Sequence, residues 1–595
     1  MKNSAIRIIF PLVILVLISL SLRSQNMSDR LRNHITYLAS DELEGRKAGT
    51  TGDSLAAVYI RDRFRSAGAE LPGDNGFQYF SLVAGVSQGE GNTFFINGQK
   101  ADVSTDFMPL SFSSSAAVDA EVIFAGYGIT GSSGDFKWDD YASVDVKGKW
   151  VMVLRGDPEP ENQNSAFIPL ATDRSKALTA RDRGAAGLIM VSPSGMEKKD
   201  VPLDLSYDKT VSDAGIPVIS VTRKLAADVL KLQPTSIDSL EKIMLSKRLP
   251  VNISTGSIVK ASTDVIRQKV LSRNVMAVLP GTDIALRDEY IVLGAHYDHL
   301  GMGGTGSGSR VPDLHAVHGG ADDNASGVAS LIEMAEWFGR SENRTSRSML
   351  FVSFGAEEMG LVGARHFVAN SPVGLKSIKA MINLDMVGRL SAESPVVTIS
   401  GAGTFTVADS LLDALASTAP FEIRKVADGY GPSDHAAFYG EGIPVLFVTT
   451  GAHSDYHTPD DNVDRINFPG QVKVTEFVAT LSSVLSNMKT APEFRESGSR
   501  NQAGHYGRNL KVTLGIMPDV SGGETSGGMK VEGVRKDGPA EKSGMLKGDV
   551  IIAINGLPVA NIYDYMSRLG KLRAGERANI EVLRNGKKEV LIVQL

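Results

Sequence analysis

The chain of 595 residues contains no cysteine. That absence excludes a disulfide framework, a thiolate zinc site, a cysteine nucleophile and a lipidated cysteine anchor. Charge of one sign is scarce as well. The 62 basic against 68 acidic residues leave a formal charge of −6, whereas a nucleic-acid binder usually shows a basic excess. Internal repeats and extended low-complexity tracts are also missing. Any metal would have to be held by histidine and carboxylate. At roughly 150 residues per domain, the length suggests about three or four domains, each able to bury its own core.

The apolar run at the N-terminus falls short of a membrane span. Ile8 to Leu22 is broken only by Pro11, Ser19 and Ser21, and a spanning helix needs about 20 residues. Lys2 and Arg7 precede it and the polar stretch Arg23-Ser24-Gln25-Asn26 follows, so residues 1–24 read as an export signal. An exported, cysteine-free protein suits a bacterial cell envelope, periplasmic or secreted, with no membrane span once the signal is cut.

Residues 28–70 read as two amphipathic helices. Between them lie Ala39-Ser40-Asp41-Glu42-Leu43-Glu44-Gly45-Arg46 and the turn-like Gly49-Thr50-Thr51-Gly52. From about 117 to 255 the pattern is a compact α+β one, with strands near Ala120–Ala125, Trp150–Leu154, Ala186–Val191 and Ile216–Val221 and a helix at Asp173–Gly184. From about 272 apolar strands alternate with helices. The strand candidates are Asn274–Leu279, Tyr290–Ala295, Ser348–Phe354, Lys379–Leu384 and Pro444–Val448, with a helix at Ser326–Gly339. Such alternation indicates an α/β sheet with helices on both faces. Residues 491–507 are polar and rich in Gly, Ser and Asn, as a linker would be, and 508–595 carry 14 basic against 10 acidic residues.

Eight of the ten histidines fall between His296 and His457. Ligands gather at the carboxyl ends of strands in open α/β sheets, and the residues just past these strands are rich in donors. They are His296-Tyr297-Asp298, Glu357-Glu358, Asp385 and the stretch from Asp455 to Asp461. Gly320-Ala321-Asp322-Asp323-Asn324-Ala325-Ser326-Gly327 precedes the helix. Two divalent ions about 3.5–4 Å apart need a bridging carboxylate, further N/O ligands and a polarised water. Histidine and carboxylate without thiolate suit zinc, with cobalt or manganese able to use the same donors. Asp298, two residues after His296, is placed to fix its imidazole.

In order and spacing these motifs resemble the co-catalytic zinc aminopeptidases of the M28 (aminopeptidase Y-like) metallopeptidase family, over roughly 270–490. The resemblance implies a di-zinc exopeptidase that hydrolyses the N-terminal peptide bond of peptides with a free N-terminus. One zinc would lie on His296 and Asp385, the other on Glu358 and His457, with Asp323 bridging and followed by a cis peptide. Glu357 would be the general base toward a water shared by the ions, and Tyr456 would stabilise the oxyanion. The Gly-rich loop carrying His299, His315 and His318 would line the entrance, and His435 would stand on the substrate side. Asp461 matches an acidic position of the family or else caps a helix.

Residues 117–255 resemble a protease-associated (PA) domain through Phe124-Ala125-Gly126-Tyr127-Gly128, Val146-Lys147-Gly148-Lys149-Trp150-Val151, Arg183-Gly184-Ala185-Ala186-Gly187 and Ile216-Pro217-Val218. It is inserted between an N-terminal peptidase part (26–116) and the catalytic segment (256–490), in a gating or a structural role. Residues 508–595 resemble a PDZ domain. Thr513-Leu514-Gly515-Ile516 fits the loop that catches a peptide's terminal carboxylate as the peptide adds a strand. Two rivals follow. Arg310, Arg365 and Arg389 near the motifs suit a carboxypeptidase or dipeptidase on the same scaffold. An inactive scaffold binding peptides through its PA and PDZ modules is the alternative without catalysis.

Overall fold

The computed structural model of the chain describes residues 27–497, apart from 135, 163–164, 208–211, 234–235 and 305. Beyond these it describes 512, 514–518, 528–534, 538–559, 565, 568–569, 572–573 and 575–595. The expected export signal and most of the expected linker, including 498–507, lie outside the described residues.

The described residues up to 82 and from 270 to 497 belong to the first compact unit. Helix α1 covers 27–38. Helix α2 (Thr51–Ser66) starts at Thr50, whose side chain accepts the amide of Asp53. Eight strands follow: β1 (Phe77–Gln88), β2 (Val265–Leu279), β3 (Tyr290–His296), β4 (Ser348–Phe354), β5 (Ile378–Leu384), β6 (Val396–Ser400), β7 (Glu422–Val426) and β8 (Val445–Thr449). They form one sheet in the order β1-β2-β4-β3-β5-β8-β6-β7. The central four, β4, β3, β5 and β8, are parallel, while β2 runs antiparallel to β4 and β6 antiparallel to β8.

Helices cover both faces of this sheet, as the alternation in the sequence implies. Ile291 and Leu293 face α1, α2, α3 (Gly327–Gly339) and α4 (Phe468–Asn487), in a core that includes Leu31, Ile60, Leu331 and Leu481. Val292 points the other way, against Phe367, Phe438 and Val445. Successive residues of a strand alternate between faces, so a strand covered on both is nearly all apolar. Every residue of β4 is buried. Strands β6 and β7 were not expected, and β2 begins at 265 rather than 274. The chain also stays on this unit past 490, where Phe494 bridges to Phe405 and the Ser497 amide donates to the Tyr439 hydroxyl at 2.8 Å.

The second unit comprises 83–269 and 509–595. Its N-terminal part holds an eight-stranded sheet in the order Gln99–Lys100, Thr93–Ile96, Asn252–Ser262, Ala117–Ala125, Trp150–Leu154, Gly187–Val191, Val218–Val221, Phe107–Pro109. Residues 93–109, expected within the peptidase, thus supply three strands here, and the sheet extends to 262 rather than 255. The reason is pairing at long range. Thr93–Ile96 pairs with 259–262 and Phe107–Pro109 with 219–221, partners that local periodicity does not reveal. Entry and exit of this segment are joined: the Gly89 amide donates to the Asp264 carbonyl at 2.9 Å, and the Asn92 side chain bonds to both.

From the helix Asp173–Asp182, the buried ammonium of Lys176 donates to the carbonyls of Tyr127, Leu154 and Gly156 at 2.8, 2.7 and 2.6 Å. Burial pulls it down to about 7, against the carboxylates of Asp173, Asp140 and Asp157. Lys176→Met would strand three buried carbonyls. A loss of roughly 2–5 kcal/mol in this unit is expected, measured as a lower urea midpoint.

The C-terminal sheet pairs Ile516–Pro518, Met529–Val534, Val550–Ile554, Arg577–Arg584 and Lys587–Gln594 in that order around its own core. Leu514 and Ile516 are buried in that core, and Gly515 sits at φ +73°. Among the described residues, Ile516–Pro518 is an edge strand with one side unpaired. Thr513 lies outside the described residues.

Candidate metal centre

The four parallel strands of the first unit end on one edge. His296 is the last residue of β3, and the chain beyond it supplies Asp298 and His299. After β4 the backbone turns at Ala356, φ +56°, and presents Glu357 and Glu358. Asp385 follows β5, and His457 comes from the loop after β8. Asp323 lies in the turn Ala321–Ser326 that leads into α3, and its bond to Asn324 is cis. The structure therefore brings together all five expected ligands and the expected base.

Asp323 stands at the middle. Its Oδ1 is 3.3 Å from His296 Nε2, and its Oδ2 is 3.2 Å from His457 Nε2. On one side His296 Nε2 lies 3.4 Å from Asp385 Oδ1; on the other, His457 Nε2 lies 3.3 Å from Glu358 Oε1. Glu357 Oε2 approaches His296 Nε2 at 4.0 Å, outside the tight groups. Two groups of donors within 4.8 Å of one another emerge: His296, Asp323 and Asp385, then His299, Asp323 and Glu358. One carboxylate is common to both.

Backbone and side-chain braces hold these donors, and several correct the expectations. His296 Nδ1 donates to the backbone carbonyl of Asp298 at 3.2 Å, whereas the Asp298 carboxylate is 3.9 Å away. That carboxylate instead accepts the amides of Glu357 at 2.9 Å and Glu358 at 3.3 Å. Asp298 thus fixes the imidazole with its main chain and the glutamate pair with its side chain. Asp461 is buried and accepts the amides of Asp322 and Asp323 in the first turn of Ala321–Ser326, both at 3.0 Å. Ser433 donates to Asp385 Oδ2 at 2.7 Å and accepts from Asn383 at 2.8 Å. His457 Nδ1 donates to Gly308 O at 3.0 Å, so the Gly-rich loop leaves its Nε2 facing the carboxylates. The ring of Tyr456 stacks on His457 with centroids 3.8 Å apart.

His299 and His435 both lie elsewhere than the sequence suggests. His299 is buried within the centre, its Nδ1 3.0 Å from Glu358 Oε1, and does not line an entrance. His435 is buried and stacked on Phe447, rings 4.5 Å apart and 8° from parallel, so it belongs to the packing beneath the site. His318 bonds to Ser309 Oγ at 2.8 Å and the Ala316 carbonyl at 2.9 Å; His315 is exposed. Arg389 is paired with Asp455, and Arg310 donates to the Ser454 carbonyl at 3.2 Å.

The electrostatics call for cations. Burial raises the Glu357 carboxyl well above its ordinary value; His296 opposes this, and Glu358, Asp434 and Asp385 add to it. Burial also raises Glu358, yet hydrogen bonds from His299 and His457 bring it down to about 2. Burial lowers His457, and Asp323 and Glu358 more than reverse this, carrying it up to about 10. Asp385 Oδ1 is buried with no hydrogen-bond partner while facing His296. An unpartnered carboxylate oxygen beside an Nε2 whose Nδ1 is already engaged fits a metal ligand pair. The donors are all N and O, which fits zinc, cobalt or manganese.

Residues 274–482 match Peptidase family M28, 116–229 match the PA domain and 512–595 match the PDZ domain. The chain is 24% identical to Aminopeptidase YwaD of Bacillus subtilis over 441 residues, covering 72% of this chain and 78% of that protein. It is 26% identical to an aminopeptidase of Pseudomonas aeruginosa over 378 residues, covering 62% of this chain and 58% of that protein. Among solved structures, the zinc aminopeptidase BSAP from Bacillus subtilis aligns with TM-score 0.47 and 20% identity, over 79% of this chain and 98% of that one.

Proposed function

Because this chain carries a family M28 peptidase domain joined to a PA and a PDZ domain, we propose that it is a di-zinc aminopeptidase acting on peptides with a free N-terminus. The observation that carries this reading is the position of Asp323, with one oxygen toward His296 and the other toward His457. His296, Asp323 and Asp385 would hold one ion, and Asp323, Glu358 and His457 the other. His457 is preferred to His299 because its second nitrogen is anchored on Gly308, whereas His299 Nε2 has no hydrogen-bond partner. His299 orients Glu358. Bound there, two zinc ions supply Lewis acidity toward a carbonyl and acidify water.

Glu357 removes the proton from the attacking water and delivers it to the leaving amine. A carboxyl whose proton affinity is raised by burial suits both transfers. Asp298 keeps Glu357 and Glu358 at a fixed spacing through their amides, and the Tyr456 phenol hydrogen-bonds the oxyanion. The acidic edge favours a substrate ammonium. Arg389 is engaged by Asp455, which leaves the carboxypeptidase reading without that anchor. The edge strand Ile516–Pro518 is the place where the C-terminal module accepts a peptide C-terminus. Export to the cell envelope follows from the pattern of residues 1–24.

Cleavage of paired free and N-acetylated peptides tests the reading. The free peptides are expected to be cut and the acetylated ones spared, with all cleavage lost in a chelator and restored by zinc. Equal cleavage of both would overturn the aminopeptidase assignment; cleavage that persists without metal would overturn the mechanism.

A further inference from the structure

Arg46 is fully buried at the end of the lead-in turn Asp41–Arg46. Among the described residues its guanidinium bonds to main-chain carbonyls alone. Nε donates to Tyr297 O at 2.7 Å, Nη1 to Leu38 O and to Gly319 O at 2.6 Å, and Nη2 to Gly320 O at 3.1 Å. Tyr297 lies between His296 and Asp298. Gly319 and Gly320 lead directly into the turn that bears Asp323. One planar fork therefore ties together the two stretches whose donors meet at the centre of the site.

The main chain of the same turn adds to this. Arg46 O accepts the His299 amide at 3.3 Å, and Gly45 O accepts the Gly301 amide at 3.0 Å. The fit is close. At Gly45, φ +68°, a Cβ would come within 2.5 Å of Gly301 O and 2.6 Å of His318 O, so the turn is held against the loop that follows β3. Asp461 grips the Asp322 and Asp323 amides, so the Asp323 turn is fixed through its amides by Asp461 and through the carbonyls before it by Arg46. A guanidinium suits such a task because its donors sit in a rigid plane; an ammonium offers a single point. Burial draws Arg46 down to about 10, against Asp298, Asp323, Asp461 and Glu358, so it is a cation at neutral pH among carboxylates.

We propose that Arg46 is a positioning residue of the metal centre, clamping the backbone of the His296 and Asp323 segments so that their side chains meet at the spacing two ions require. This rests on the di-metal reading above. Its readout is zinc affinity, which does not depend on which peptide bond is cut.

Chelator-stripped full-length protein, wild type and variant, is titrated with zinc by calorimetry, and thermal unfolding is followed in excess zinc. Arg46→Met is expected to keep a cooperative unfolding transition while its zinc affinity falls about 10- to 100-fold, the usual cost of losing a group that orients ligands. Arg46→Lys is expected to lie between, since one ammonium cannot reach all four carbonyls. A folded Arg46→Met with zinc affinity equal to wild type would overturn the proposal. If neither variant folds even in excess zinc, the side chain serves the fold and not the site, and the proposal also falls. A wild-type chain that binds no zinc would instead overturn the metal-centre reading itself.

Discussion

Glu357→Gln is expected to lower kcat by about 10²- to 10⁴-fold with KM and zinc affinity close to wild type. Glutamine keeps the shape of the side chain and removes its capacity to accept a proton. Glu357 lies outside both tight donor groups, with its nearest imidazole nitrogen at 4.0 Å. Its amide, and not its carboxylate, is what Asp298 holds. Neither the ligands nor their braces should therefore move. The variant also relieves a buried carboxyl pressed by Glu358, Asp434 and Asp385, so folding should not suffer. Metal content by elemental analysis and steady-state kinetics together check this. Full turnover in the variant would mean that the base lies elsewhere.

Asp323→Ala should be the most damaging change at the ligands. Asp323 is the donor common to both groups, facing His296 with one oxygen and His457 with the other. In the proposed di-metal site its removal would take a ligand from both ions at once. Wild-type protein in zinc at about 1,000 times its dissociation constant gains about 4 kcal/mol of stability by linkage. In Asp323→Ala the melting curves with and without zinc are expected to superimpose, and activity to be lost. A zinc-induced shift equal to that of wild type would show that Asp323 is not the shared ligand.

Much of this centre is legible in the sequence because it is built at strand ends. The run Ser348–Phe354 is apolar but for Ser348 and Ser353, as a buried parallel strand largely has to be, so its limits and the position of Glu357 and Glu358 follow. Of the expected ligands, His296, Asp323, Glu358 and Asp385 likewise lie close to a strand or helix with a clear pattern, while His457 stands in the loop beyond β8. What escapes is set by contacts distant in the chain. The Asp298 carboxylate bonds to amides 59 and 60 residues away, and the Asp461 carboxylate to amides 138 and 139 residues away. Spacing between near neighbours suggests a bond from Asp298 to His296, and tertiary structure makes another. His299 and His435 are two histidines with opposite fates because only the folded chain shows that one reaches Glu358 and the other Phe447. Strand β7, Glu-Ile-Arg-Lys-Val, escapes for a different reason: at the sheet edge with alternating exposure, it has too few apolar residues to stand out.

The joined entry and exit of the inserted segment, at Gly89 and Asp264, bear on how such a chain is assembled. To the sheet that holds the centre, everything between those two residues is topologically a hairpin turn. The conformational entropy of a long insert is met by the insert's own core, not by the pairing of the strands that flank it. An accessory module entering through a neck of this kind can be acquired, exchanged or discarded over evolutionary time with little consequence for the register of its host.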